Sequence, residues 1–112
     1  MKKVEAFIRP HLVEDVRTAL TDVGVKGLSV LEARGFGHQR GHTEFYRGAE
    51  YQVLFVNKVK IEAVVQDDQI DPVVNALLRV ARTGKVGDGK IFISTIDDAI
   101  RIRTGESGNA AL

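Results

Sequence analysis

The amino-acid sequence predicts one α+β domain in which strands and helices follow the order β-α-β-β-α-β. The chain has 112 residues, a length that fits a single domain spanning residues 1–112. Apolar and polar residues alternate in four segments, as they do in strands with one buried face, and two further segments repeat apolar residues at helical spacing. The strand-helix-strand unit therefore occurs twice, which is the split βαβ or ferredoxin-like pattern.

The first half of the chain supplies a strand, a helix and a second strand. Residues 3–8 alternate between polar and apolar side chains until Pro10 ends the run. A helix follows and ends at Gly24, a residue type that commonly terminates helices. Residues 28–35 return to a strand pattern. The apolar residues at helical spacing are Leu12, Val13, Val16, Leu20 and Val23.

Residues 36–54 show no sustained period and contain three glycines and several charges. We therefore expect a long loop between the second and third strands. Loops of this length within a compact domain usually serve a function.

The second half of the chain repeats the unit. Residues 58–65 alternate strongly and predict the third strand. In the helix that follows, Pro72 lies near the first turn, and we expect Asp68 or Asp71 to cap it. A glycine-rich loop leads into the fourth strand at residues 91–95. The second helix is expected to bury Ile70, Val73, Val74, Leu77, Leu78 and Ala81.

The sheet is expected to have apolar residues on both faces, because Phe7 adds an apolar side chain to those of Val4, Ala6 and Ile8. Helices cover one face of such a sheet. A second apolar face is rarely left in water, so we expect oligomerisation to cover it.

Composition excludes several classes of protein. The 16 basic and 15 acidic residues nearly balance, whereas proteins that bind nucleic acid usually carry a strong positive excess. The absence of cysteine excludes a disulfide scaffold and a thiol nucleophile. No apolar run approaches the ~20 residues that span a bilayer. We expect a cytoplasmic protein that binds no nucleic acid.

The segment Thr83–Lys90, TGKVGDGK, is here called the glycine loop. It nearly matches the phosphate loop of NTPases, but Ile91 takes the place of the hydroxyl that would bind Mg²⁺, and the loop runs from a helix into a strand. The NTPase interpretation is therefore rejected. Glycine N–H groups can still form an anion nest, with Lys85 and Lys90 adding charge. A solvated connector is the alternative.

Arginines near the end of the chain form a second candidate. We expect residues 101–103 to pair briefly as an edge strand, in which Arg101 and Arg103 would share one side. Two guanidinium groups in that arrangement can clamp phosphate oxygens. Taken alone, the pair is more typical of surface ion pairs.

Other residues are weaker candidates. Lys58 at the start of the third strand can receive a carboxylate, or can be a solvated lysine. Gln39 lies between glycines that could expose backbone to an anion or metal, and Tyr51 could anchor in a partner or pack back on the domain. The three histidines lack partners at ligand spacing, and the serines and threonines lack the companions of a nucleophile.

Taken together, these segments resemble the PII family of nitrogen-regulatory signal-transduction proteins over nearly the whole chain. Six segments in the right order carry the resemblance: residues 35–37 with Gln39, 41–44, 46–51, 58–62, 83–90 and 101–106. The resemblance implies a homotrimer in which ATP and ADP compete for three clefts between subunits. It implies that residues about 37–55 are the family's T-loop, 82–90 its B-loop and 101–106 its C-loop.

The resemblance also implies roles for individual residues. Mg²⁺ held by ATP and Gln39 would recruit 2-oxoglutarate, whose distal carboxylate would pair with Lys58, with Arg9 assisting. Tyr51 would be the position that is modified by a uridylyltransferase or adenylyltransferase, and Arg47 would join it in contacting partners. The implied nucleotide-binding residues are Ser29, Gly35, Gly37, His38, Glu62, Val64, Gly87, Asp88, Gly89, Lys90, Arg101 and Arg103.

The implied function is a non-enzymatic sensor of ATP/ADP and 2-oxoglutarate. Its T-loop would control an ammonium transporter, nitrogen-control enzymes or kinases, so it would meet a membrane only through a transporter. The alternatives are a divergent adenine-nucleotide sensor for carbon or metal transport, an enzyme (a small ATPase or a ferredoxin-like metabolic enzyme) and a purely structural trimer. The sequence departs from the family at His38, where Arg or Lys is common, at Ser29, at residues 53–54 and at Asn57.

Overall fold

The computed structural model describes residues 1–36, 42–46, 49–53 and 55–112, with residues 42–46 and 49–53 described by their backbone alone. Within these residues, two helices, α1 (Val13–Asp22) and α2 (Ile70–Ala81), accompany six strands. The strands are β1 (Lys2–Ile8), β2 (Ser29–Gly35), β3 (His42–Tyr46), β4 (Ala49–Val53), β5 (Val56–Val65) and β6 (Lys90–Thr95).

Four strands form one antiparallel sheet in the order β2-β5-β1-β6. Ala6 lies opposite Ile61 on β5 and opposite Ile91 on β6, so β1 lies between these two strands. This order confirms the predicted ferredoxin-like α+β fold.

The core lies between one face of the sheet and the two helices. Ile8 and Ile61 from the sheet are almost fully buried against Leu20 of α1 and Leu77 of α2. Burying a side chain of this size contributes about 2 kcal/mol. Leu78 was predicted to lie on the buried face of α2, but it is 39% exposed.

The helix ends differ in how well the sequence predicts them. Gly24 follows α1 with φ +97°, a conformation that glycine adopts without strain, as expected. The prediction that Asp68 or Asp71 caps the second helix is wrong. Residues 67–69 form a 3₁₀ turn that precedes α2, and Gln66 and Gln69 cap that turn reciprocally.

The face of the sheet away from the helices, here called the open face, was expected to be apolar, but it carries charged side chains beside apolar ones such as Phe92 and Leu31. Lys3 lies 2.9 Å from Glu5, and Lys60 lies 3.1 Å from Glu62. The strand register places these four residues, here called the charged cluster, side by side. Phe7 does lie on this face, but it packs edge-on against Phe92 at 6.2 Å beside the charged cluster. Alternation on β1 and β5 therefore separates an apolar face from one that carries these charges.

The long connection between β2 and β5 is not wholly irregular. β3 and β4 pair antiparallel, from His42 opposite Val53 to Tyr46 opposite Ala49. Each strand has only five residues, and the glycines and charges around them hid both from sequence reasoning. No helix in the described part of the chain has the length and apolar character needed to cross a membrane.

Candidate nucleotide site

The glycine loop joins the end of α2 to the start of β6, as the sequence predicts. Gly84, Gly87 and Gly89 all have positive φ, at 85°, 105° and 93°. Backbone of this kind can present successive N–H groups to an anion. A Cβ at Gly89 would lie 1.6 Å from the carbonyl oxygen of Phe7, so only glycine allows the loop to run this close to β1.

The Asp88 carboxylate faces its own loop. It accepts hydrogen bonds from the Thr83 hydroxyl at 2.5 Å and from the backbone N–H groups of Thr83 and Gly84, each at 2.8 Å. The Thr83 hydroxyl, these N–H groups and Arg9 together lower the pKa of Asp88 to about 2. The side-chain carboxylate therefore binds groups of its own loop, so any phosphate contact of Asp88 would be made by its backbone N–H.

Two cations lie against the same loop. The Nε of Arg9 is 3.3 Å from the Asp88 carboxylate, and another of its nitrogens donates to the carbonyl of Val86 at 3.1 Å. The Nζ of Lys58 donates to the carbonyl of Gly87. Burial, then the neighbouring Arg9 charge, lower the pKa of Lys58, while Asp88 opposes them. The structure thus brings together Arg9, Lys58 and the glycine loop.

Three other predicted site residues line a separate cavity of about 200 Å³. Ser29 lies directly opposite Glu62, and Val64 follows on the same face of β5. Gly27 and Leu28, which sequence reasoning did not single out, complete its rim with Ala63.

The cavity and the glycine loop meet opposite ends of β5. Glu62 lies four positions beyond Lys58, which corresponds to about 13 Å along a strand. Gly35 belongs to the Lys58 end, because a Cβ there would lie 3.5 Å from the Cγ of Lys58. Lys90 opens β6 opposite Phe7 and is exposed.

The prediction of an edge strand at residues 101–103 is wrong. Residues 102–104 form a turn, closed by hydrogen bonds between the Arg101 and Glu106 backbones and from Gly105 to Arg101. The Arg101 guanidinium bonds Glu106 at 3.4 Å and the carbonyl of Leu112 at 3.3 Å. Arg103 is exposed within the turn, so the two arginines do not share a strand face.

Several predicted site residues fall outside what the structure describes. Gly37, His38, Gln39 and Arg47 are not among the described residues, and Tyr51 is described only as backbone in β4. No group of three His, Asp or Glu that could hold a metal ion occurs in the part of the chain that is described.

Sequence reasoning missed two contributors to this site. Thr83 anchors Asp88, and a hydroxyl residue five positions before an aspartate in a glycine-rich turn is the local signal that could have indicated it. Phe36 and Phe55 pair at 6.2 Å where β2 and β5 meet the long connection. Their pairing becomes visible once the register places Gly35 opposite Val56.

Comparison with known proteins adds an independent result. The family model described as "Nitrogen regulatory protein P-II" matches residues 1–106. Over all 112 residues, and over the whole of each relative, the chain is 57% identical to the nitrogen regulatory protein P-II of Rhodobacter capsulatus. With the same full coverage of both chains, it is 56% identical to nitrogen regulatory protein P-II 1 of Escherichia coli K12. It is 55% identical to the nitrogen regulatory protein P-II of Pasteurella multocida.

Proposed function

Because the chain belongs to the P-II family of nitrogen regulatory proteins, we propose that it is a non-enzymatic regulator that binds ATP or ADP and 2-oxoglutarate. It transmits their levels to nitrogen-metabolism targets. The observation that carries this proposal is the conformation of the glycine loop. Its carbonyls accept hydrogen bonds from Arg9 and Lys58, and its three glycines have positive φ.

The nucleotide phosphates bind the backbone of Gly87, Asp88 and Gly89, with Lys90 adding positive charge. The positive-φ glycines support this assignment, since they allow backbone N–H groups to converge on an anion. The adenine and ribose bind in the cavity that Ser29 and Glu62 line.

The binding cleft is completed by a second copy of the chain. In one chain, the cavity and the glycine loop meet β5 about 13 Å apart, and both openings are partly exposed. Arg101 and Arg103 reach the phosphates from the neighbouring subunit in a homotrimer. The charged cluster on the open face, where Lys3 pairs with Glu5, is electrically balanced and suits contact with another copy.

The 2-oxoglutarate carboxylate pairs with Lys58, with Arg9 beside it. Their proximity supports this, because two cations within reach of one loop attract a dianion. The oxygen chemistry of ATP phosphates and the Gln39 amide suits Mg²⁺, which would bridge nucleotide and effector.

The output is carried by residues 37–55, whose conformational populations shift with the bound ligand. Arg47 and Tyr51 contact the target, which is an ammonium transporter, a nitrogen-control enzyme or a kinase. Tyr51 is the site of uridylylation or adenylylation in a host that has such an enzyme.

Titration calorimetry tests the proposal. ATP and ADP should each bind, GTP serving as the control nucleotide, and 2-oxoglutarate should bind when ATP and Mg²⁺ are present. Absence of ATP and ADP binding at about 1 mM would refute the proposal. If nucleotide binds but 2-oxoglutarate does not, a divergent adenine-nucleotide sensor for another pathway becomes the better account.

A further inference from the structure

Arg9 makes two contacts with the glycine loop. Its Nε faces the Asp88 carboxylate, and a terminal nitrogen donates to the carbonyl of Val86. Both contacts join the residue that follows β1 to a loop 77–79 residues away in the chain. Its guanidinium thus contacts the glycine loop at two points.

We propose that Arg9 is a positioning residue of the nucleotide site, which acts by turning the N–H groups of the glycine loop toward the phosphates. This inference rests on the proposed function and adds a role for Arg9 that is independent of 2-oxoglutarate. The role follows from the geometry of the peptide unit.

Peptide planarity links each carbonyl to the N–H that follows it. In a trans peptide the two point in opposite directions, and the described peptide bonds include no cis bond. The Val86 carbonyl is drawn toward Arg9, so the N–H of Gly87 points away from Arg9. The Gly87 carbonyl is drawn toward Lys58, so the N–H of Asp88 points away from Lys58.

Asp88 connects Arg9 to the beginning of the loop, because its carboxylate contacts both. Its carboxylate holds the N–H groups of Thr83 and Gly84, leaving those of Gly87 and Asp88 outside its reach. Arg9 therefore holds the Val86 carbonyl directly and the start of the loop through Asp88. A lysine has a single nitrogen at its tip and cannot serve both points with the fixed fork of a guanidinium.

The alternative is that Arg9 binds only the effector carboxylate. The two roles differ when no effector is present. A positioning residue affects ATP binding without 2-oxoglutarate, whereas an effector ligand does not.

Calorimetry of ATP binding in EDTA, without 2-oxoglutarate, separates these roles. We expect Arg9→Gln to weaken ATP about tenfold, as loss of a charge-assisted hydrogen bond does, and Arg9→Lys to recover part of the loss. Arg17→Gln is the matched control, because Arg17 is an exposed helix residue paired with Glu14, and it should bind like the wild type. Equal ATP affinity in Arg9→Gln and wild type would overturn the proposal.

A second measurement distinguishes positioning from general damage to the fold. Inorganic tripolyphosphate should lose affinity in Arg9→Gln by the same factor as ATP, while adenosine should lose none. Equal losses for adenosine would overturn the proposal. If Arg9→Gln does not fold, Arg9→Lys gives the same comparison. Failure of the wild type to bind either ATP or tripolyphosphate would instead refute the proposed function, and this inference with it.

Discussion

The Cα of Gly89 lies so close to Phe7 that a Cβ at position 89 would be 1.6 Å from the Phe7 carbonyl oxygen. The contact sets the distance between the glycine loop and β1, and thus the distance at which Arg9 meets the loop. A carbonyl oxygen of a central strand cannot move aside without breaking the sheet.

We predict that Gly89→Ala displaces the loop. ATP affinity should fall more than tenfold by calorimetry, since the loop must move to accommodate the methyl group. Gly84→Ala is the control: its φ is also positive, at 85°, but no atom lies within 4 Å of the added Cβ. The control should show only backbone strain of roughly 1 kcal/mol in denaturant unfolding. Equal ATP affinity in the two variants would contradict the steric argument.

Asp88 should make stability depend on pH at the acid end. Its pKa of about 2 lies below the ordinary value of 3.8, so its stabilising contribution is complete above pH ~5 and is lost as the pH falls from ~5 toward ~2. Denaturant unfolding of wild type and Asp88→Asn should differ by a constant amount from pH 7 to about 5 and converge below it. A difference that stays constant to pH ~2 would disprove the assignment.

The Thr83 hydroxyl is the first cause of the low Asp88 pKa. Replacing it, in Thr83→Val, should therefore raise the pKa of Asp88 toward its ordinary value, as followed by the carboxyl carbon signal in NMR. Thr18→Val, on the exposed side of α1, should leave that signal unchanged. If the Asp88 titration is the same in all three proteins, the carboxylate is held by other groups.

The Phe36–Phe55 pair should hold the base of the long connection together. An aromatic pair contributes about 0.5–1.5 kcal/mol beyond area burial, so Phe55→Ala should speed trypsin cleavage after Arg40 or Arg47 about two- to tenfold. Phe92→Ala removes a different pair on the open face and should not change that rate. Equal cleavage rates in Phe55→Ala and wild type would show that the pair does not restrain the segment.

The strands in which polar and apolar residues alternate most strictly were predictable from the sequence. β1 and β5 have one face against the helices and the other charged, so period-two alternation indicates both strands and their inner residues, such as Ile61. The glycine loop between α2 and β6 was predictable because glycine spacing is a local signal.

Features that depend on distant parts of the chain were not predictable. Arg9 and Asp88 are 79 residues apart, and only the pairing of β1 with β6 brings them together. The charged cluster likewise depends on the register that sets Glu5 opposite Glu62. The turn after Arg101 was mistaken for a strand because two arginines with one residue between them fit either backbone. Gly105, at φ +74°, was a local sign of a turn.

The central claim is that the glycine loop binds nucleotide phosphates through its backbone. It is tested most directly by following the amide NMR signals of the full-length protein during an ATP titration. The account predicts that the amides of Gly87 and Asp88 shift most, with adenosine leaving both unmoved and tripolyphosphate reproducing the shifts. ATP binding that leaves the amides of the glycine loop unchanged would contradict it.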